Sequence, residues 1–331
     1  MPFAIGVDLG GTHTKAALVA EDGTTLTSAK SDTPAEDGPD AVVGVIATLV
    51  EDVAGSLPEG EKLDGIGVGA PGPVSRDRTT VRRPPNLVGW RDVSISDALA
   101  AALSPSVRQR MAVNAPILAE NDANVAALGS AFYGAGLPHD SFVMVTLGTG
   151  VGGAIIHENR LFRGATGAAG EIGHMTIDYE GPYARSGVAG ALEAYLGHKF
   201  LTRHARYQLL TRPTCLHAMT EDDLADLDPI TLHRAAMGGD PAALEFFSWA
   251  GHKLGAALGS IVNLLDIRTF VIGGGVSAAG DVLLNPVRDS ISRYVMPGMR
   301  GDILVICETR GNAVAVQGAA RLVFEYVEDH A

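Results

Sequence analysis

Cysteine is nearly missing. The 331 residues contain only Cys215 and Cys307, which excludes a disulfide framework and fits a reducing cytoplasm. No apolar run reaches the length of a membrane span. The first 20 residues carry Asp8 and glycines where a signal peptide needs an unbroken apolar core, so neither a membrane anchor nor an export signal is expected. Basic residues are outnumbered, 25 Lys and Arg against 38 Asp and Glu, and a formal net charge of −13 leaves no surplus for a nucleic-acid face. An acidic chain can still hold phosphates locally, through backbone N–H groups and a metal ion. The remaining totals, 46% hydrophobic and 19% charged, belong to a folded chain long enough for two domains and a sizeable core.

Glycine is what the sequence has in excess. There are 41, roughly 12% of the chain against an average near 7%. They cluster at 10–11, 65–72, 148–153, 164–173, 181–190 and 273–275. Several clusters directly follow apolar strands, which points to tight turns or close backbone approach to a ligand and not merely to many turns.

Apolar patterning predicts strands at 3–9 (FAIGVDL) and 15–20 (KAALVA), a turn at Glu21-Asp22-Gly23 and a third strand after it. Helical spacing runs over 39–57, and 62–74 reads as a buried strand entering a Gly/Pro loop. Residues 83–90 are loop, a helix begins after Ser96 or Asp97, 111–117 (MAVNAPI) is a strand, and Asn121 opens a helix over 121–136. The pattern then restarts. Residues 141–164 are again strand, glycine turn and strand, with Val7-Asp8-Leu9-Gly10-Gly11 matching Val145-Thr146-Leu147-Gly148-Thr149. Beyond it 191–260 is mostly helical, 269–277 is a strand with a glycine turn, 302–308 is the last strand and 313–330 a final helix. The expected architecture is α/β and duplicated, with a cleft where loops of both halves meet. Its expected lobes are a smaller one at 1–120 plus 313–331 and a larger one at 121–312.

Gly10 and Gly11 are no dinucleotide fingerprint, because a strand and not a helix follows them, and no GxxxxGK[ST] loop occurs. One glycine hairpin is as readily a plain tight turn as a phosphate nest. Two of them, Gly10-Gly11-Thr12 and Gly148-Thr149-Gly150, together with Gly273-Gly274-Gly275 after a third strand, favour nucleotide binding through backbone N–H groups. Thr12 and Lys15 add a hydroxyl and a cation, and Asp8 at the strand end suits a magnesium ion held through its water shell.

Glu120-Asn121-Asp122-Ala123-Asn124 marks a strand-to-helix junction. Asn121 serves as an N-cap, and Asp122 in the first helical turn is stabilised as the anion by the helix dipole. Phosphoryl transfer asks for a carboxylate that orients the attacking hydroxyl and takes its proton, and Asp122 suits that role. Gly170-Glu171-Ile172-Gly173-His174 sets a carboxylate and an imidazole three residues apart, a pairing that serves sugar hydroxyls if it is more than a surface acid beside a satisfied histidine.

The set VDLGGTHTK, AENDANVAALG, VTLGTGVGGAII, GAAGEIGH and VIGGGVS resembles the ROK family of sugar kinases and related repressors, within the actin and hexokinase ATPase superfamily. The motifs stand in the family's order across nearly the whole chain. The resemblance implies a two-lobed α/β fold of duplicated ribonuclease-H-like domains with a central cleft, ATP and magnesium bound there, and a homodimer. It makes Asp122 the catalytic base. Asn121, Glu171, His174 and Glu193 become sugar contacts, with Gly72 and Asn86 as further sugar-facing positions. The turns at 10–12 and 148–150 then grip the phosphates, and Gly273 and Gly274 flank the nucleoside.

In most of the family the counterpart of His174 also ligates a structural zinc, with three cysteines of a GxxCxCGxxGCxE loop. Here the loop reads GPYARSGVAGALEAY over 181–195, with Ala184, Ser186 and Ala191 at the cysteine positions. Neither Ala nor Ser replaces a thiolate at zinc. No structural zinc is therefore expected, and packing through Tyr183 and Val188 is expected to hold the loop instead.

The function implied is ATP-dependent transfer of phosphate to the 6-hydroxyl of a hexose. Glucose comes first, then N-acetylmannosamine or N-acetylglucosamine, with polyphosphate as an alternative donor. A non-catalytic, sugar-sensing member is the alternative of another class. A regulator would carry a DNA-binding domain ahead of the first motif, for which the residues before Val7 leave no room.

Overall fold

The structure, a computed structural model, describes residues 1–311 and 313–330; Asn312 and Ala331, which bound two of the expected spans, lie outside it. In chain order the strands are β1 (Phe3–Leu9), β2 (His13–Ala20), β3 (Thr25–Asp32), β4 (Leu63–Ala70), β5 (Thr80–Arg82), β6 (Asp92–Ser94), β7 (Ile117–Asn121), β8 (Phe142–Leu147), β9 (Val151–His157), β10 (Arg160–Leu161), β11 (Thr269–Gly273) and β12 (Leu304–Cys307). Ten of them form two five-stranded sheets of one design, β3-β2-β1-β4-β7 and β10-β9-β8-β11-β12, while β5 and β6 make a small ribbon.

In the first sheet β1 pairs antiparallel with β2 and parallel with β4, which pairs parallel with β7. In the second, β8 pairs parallel with β11 and β11 with β12. The duplication holds to single residues: Asp8 stands opposite Gly69 across β1 and β4, and Thr146 opposite Gly273 across β8 and β11. Each sheet thus presents the end of its first strand beside a glycine at the end of the next parallel strand. This repeated design fits the duplicated ribonuclease-H-like domains that the resemblance implies.

Helices supply the crossovers that parallel pairing requires. Pro39–Ala54 starts with proline, whose missing N–H costs nothing at a first turn, and buries Val42, Val43, Ile46, Leu49, Val50 and Val53 at helical spacing. Asp122–Tyr133 is buried on every side from Ala123 to Ser130, so it shows little amphipathicity. It lies directly on Ala313–His330: a Cβ on Gly129 would sit 2.0 Å from the Val314 carbonyl oxygen, and one on Gly318 would sit 1.7 Å from that of Val125. Only hydrogen at these two positions lets the helix backbones approach this closely.

The chain divides into two compact units, Met1–Asp140 with Ile155–Ala169 and Thr309–Ala331, and Ser141–Ala154 with Gly170–Glu308. The first unit runs past the expected cut at residue 120 because Asp122–Tyr133 is locked against Ala313–His330.

Two local expectations change. The strand expected over 111–117 is displaced to Ile117–Asn121, since Asn114 takes φ 61° and Pro116 follows, leaving at Met111 only an isolated bridge to Leu63. The helix expected after Ser96 or Asp97 starts at Ile95, because the Ser94 hydroxyl accepts from the Asp97 N–H and caps it. Among the described residues no helix is long and apolar enough to cross a membrane.

Candidate active site

In the first unit the β1–β2 hairpin closes through the Gly10 N–H donating to the His13 carbonyl at 3.1 Å. Asp8 faces Lys15 across the hairpin register. Burial pushes its carboxyl above the ordinary range, and Lys15 draws it partly back. Such a carboxylate at a strand end, with a lysine beside it, fits contact with magnesium through water. Thr12 is exposed at the turn, and a Cβ on Gly11 would come within 3.2 Å of the Asn86 side chain, so the 83–90 loop lies against the glycine turn.

The same unit gathers Gly72, Asn86, Asn121 and Asp122. Asn121 ends β7 and caps the following helix, its Oδ1 accepting from the N–H groups of Ala123 at 2.9 Å and Asn124 at 3.2 Å. Its Nδ2 donates to the Gly72 carbonyl at 3.2 Å, which fixes the GAPG loop to the helix start. Asp122 is the first helical residue and is exposed, with Oδ1 accepting from the Ala123 N–H at 2.8 Å.

Behind this pair lies a charge cluster that no sequence pattern marks. Glu120 has no solvent exposure. Its Oε1 accepts from the Asn121 N–H at 2.9 Å and from Asn124 Nδ2 at 3.0 Å. Its Oε2 meets Arg163 Nε at 2.6 Å and Arg78 Nε at 3.4 Å. Arg163 in turn donates to the carbonyls of Arg76 at 2.8 Å and Ser75 at 3.0 Å. Burial depresses Arg78, and the charge of Glu120 opposes that shift. Glu120 was visible within the motif as an acid ending an apolar strand; its arginines arrive from distant segments.

In the second unit the glycine turn after β8 closes through Gly148 N–H to the Gly150 carbonyl at 3.0 Å, and the His198 N–H caps the Gly148 carbonyl at 3.0 Å. Thr149 is exposed at its tip. Glu193 opens a short helix and accepts from the Val151 N–H at 3.1 Å; a Cβ on Gly150 would stand 2.4 Å from its Oε2. Glu193 therefore holds the second glycine turn. Gly273 ends β11, and a Cβ on Gly274 would strike the Leu147 carbonyl oxygen at 2.4 Å, so this turn folds onto the end of β8.

Glu171 and His174 flank a single helical turn, Ile172–His174, with His174 Nε2 3.9 Å from Glu171 Oε2. Burial raises the Glu171 carboxyl; His174 opposes the rise and Glu193 adds to it.

The segment 181–195 does not fit a zinc ion. Ala184 and Ala191 are buried against Ala194 with Val188 packed beside them, and Ser186 offers a hydroxyl in place of a thiolate. Among the described residues no group of three or more His, Cys, Asp or Glu could hold a metal ion. Val188 packs as expected. Tyr183 does not: it is 69% exposed and contributes a backbone bridge to Ala189.

The model of the ROK family matches residues 4–325. The glucokinase of Thermotoga maritima is 32% identical over 98% of this chain and 98% of its own length. The glucokinase of Streptomyces coelicolor is 34% identical, also over 98% of each chain. Among solved structures, a ROK family glucokinase from Streptomyces griseus in complex with glucose and AMPPNP superposes with a TM-score of 0.80 at 33% identity, covering 98% of this chain and 99% of that one.

Proposed function

The chain belongs to the ROK family, and on that premise we propose that it is a sugar kinase transferring the γ-phosphoryl group of ATP to the 6-hydroxyl of glucose. The observation that carries the reading is Asp122, an exposed carboxylate at the first position of a helix whose cap, Asn121, is fixed on both sides. Phosphoryl transfer needs little covalent help from a protein. It needs the acceptor hydroxyl held in line and relieved of its proton, and charge stabilisation on the phosphate.

Asp122 is assigned to the hydroxyl. The N–H groups at Gly11 and Thr12, with Lys15, are assigned to phosphates on one unit and those at Thr149 and Gly150 on the other, while Gly10 and Gly148 close the two turns through their own N–H groups. Gly273 and Gly274 are assigned to the nucleoside. Asp8 would hold magnesium through its water shell; when bound, the ion neutralises charge on the phosphates. Gly72, Asn86 and Asn121 are proposed sugar contacts on the first unit, and Glu171, His174 and Glu193 on the second. A cytoplasmic homodimer completes the proposal, and light scattering would test the dimer.

The test is ADP release with ATP and magnesium across glucose, mannose, N-acetylmannosamine and N-acetylglucosamine, with polyphosphate as a second donor. Turnover on glucose that vanishes in Asp122→Asn supports the proposal. Turnover confined to another sugar corrects the acceptor, and sugar binding without turnover overturns the kinase reading.

A further inference from the structure

The segment 174–193 carries His174 at one end and Glu193 at the other, with no metal ligand set between them. Three separate contacts hold it. Ala184, Ala191 and Ala194 are buried together, with Val188 against them. The backbone cross-links itself, Ala184 N–H to the Val188 carbonyl at 3.0 Å, Gly190 N–H to that of Pro182 at 2.8 Å and Leu192 N–H to that of Met175 at 3.0 Å. Asp178 ties the segment to the long helix Pro241–Leu265: its Oδ2 accepts from the Tyr195 hydroxyl at 2.9 Å and lies 3.8 Å from Lys253 Nζ. That ammonium sits 4.3 Å from the centre of the Tyr195 ring, on which His204 stacks at 5.5 Å.

Ser186 Oγ lies 3.1 Å from His174 Nδ1. The other ring nitrogen, Nε2, faces the Glu171 carboxylate at 3.9 Å. A carboxylate on the Nε2 side favours the ring proton there, and Nδ1 then accepts from the serine hydroxyl. A zinc ion could have fixed this ring by coordination. Here the hydroxyl at one of the thiolate positions does so by hydrogen bonding, while the two alanines fill with packing the space of the other thiolates.

We propose that Ser186 is a positioning residue for the sugar site, setting the tautomer and orientation of His174 within a segment that folds without metal. This rests on the proposed role of His174 in sugar binding, but its first test does not. Nitrogen-15 spectra of the His174 ring should show an Nε2–H tautomer with a hydrogen-bonded Nδ1 in the wild type and in Ser186→Thr, and a changed Nδ1 signal in Ser186→Ala. The second test is kinetic. Ser186→Ala should raise the glucose KM about five- to tenfold, the effect of one hydrogen bond, with kcat and the ATP KM held, and Ser186→Thr should restore it.

Elemental analysis of the purified protein should find no stoichiometric zinc, and a chelator should leave its melting temperature unchanged. An unchanged ring spectrum in Ser186→Ala overturns the positioning role whatever the kinase assay gives. One zinc per chain overturns the metal-free reading. A changed spectrum with an unaltered glucose KM removes the role of His174 in sugar binding and leaves the Ser186 contact standing.

Discussion

Glu120 and Arg163 form a contact of 2.6 Å between carboxylate and guanidinium, at a glutamate with no solvent exposure, directly behind Asn121 and Asp122. The two lone pairs of Oε1 are taken by the Asn121 N–H and by Asn124, so this acid sets the backbone at the strand-to-helix junction while its charge is met by Arg163 and Arg78. Removing one member leaves buried charge uncompensated, which costs about 3–5 kcal/mol. Glu120→Gln and Arg163→Ala should each lower the unfolding free energy read from urea titration by that order and reduce kcat, although neither residue is assigned to substrate. A double variant less destabilised than the sum of the two singles would confirm their coupling. Full stability in Glu120→Gln would show that the arginines are satisfied without it.

Glu171 gives a pH dependence whose sign follows from its cause. Burial raises its folded-state value above the ordinary 4.5. The folded state therefore binds more protons than the unfolded one between those two values, and stability falls as pH rises through that window. Above it the loss is constant; below 4.5 it is absent. Glu171→Gln should thus melt higher than the wild type at neutral pH and equally at acid pH, while binding glucose less well. Calorimetric scans from acid to neutral pH check this, and equal melting curves at neutral pH would contradict it.

Much of this site could be read along the chain, because its determinants are local. A strand ending in Asp8 before two glycines, an asparagine before an apolar helix and a second strand ending in Gly148 each carry their geometry in a few adjacent residues. The duplication was legible for the same reason, and the register Asp8–Gly69 and Thr146–Gly273 repeats it in space. What stayed hidden is long-range. Arg78 and Arg163 reach Glu120 from segments tens of residues away, and nothing near either arginine announces a buried partner. The strand was expected at 111–117 from its apolar content, but parallel pairing with β4 selects the five residues that end at Asn121. Ser186 read only as a missing thiolate until the fold brought it to His174.

Gly190 and Gly187 separate clash from strain within one segment. Both take left-handed φ, 59° and 83°. A Cβ on Gly190 would lie 1.5 Å from the Asp178 carbonyl oxygen, whereas one on Gly187 meets nothing within 4 Å. Gly187→Ala should cost only the left-handed penalty, about 1–2 kcal/mol. Gly190→Ala should cost more, because the backbone of the anchored Asp178 cannot give way, and should weaken glucose binding through the displaced segment. Denaturant titration of the two variants checks the order, and its reversal would mean that the Asp178 anchor yields.

Asp8 should trade stability for ligand response. Its half-buried carboxyl is held above the ordinary range in the folded protein. Ionising it at neutral pH therefore costs folding energy that Asp8→Asn removes. The variant should melt at or above the wild type without ligand. It should also lose most of the upward shift produced by ATP with magnesium, a shift that grows with ligand concentration over Kd. Differential scanning with and without MgATP reads both effects, and an undiminished shift in the variant would remove Asp8 from the magnesium site.

Asp122 divides binding from chemistry. It is exposed at the first turn of its helix, where its Oδ1 accepts from the Ala123 N–H, a bond the amide oxygen of Asn can also accept, so Asp122→Asn should change the melting temperature little. The amide keeps the size of the carboxylate and can still contact a hydroxyl, so glucose affinity by calorimetry should stay near that of the wild type. The amide cannot take the proton released as the 6-hydroxyl attacks phosphorus. The loss should therefore fall on kcat, on the order of 10²- to 10⁴-fold, the range of a positioned general base. A rise in glucose KM with kcat preserved would make Asp122 a sugar-binding group and require another base. A fall in kcat alone, in a protein that melts and binds as before, assigns the proton to Asp122.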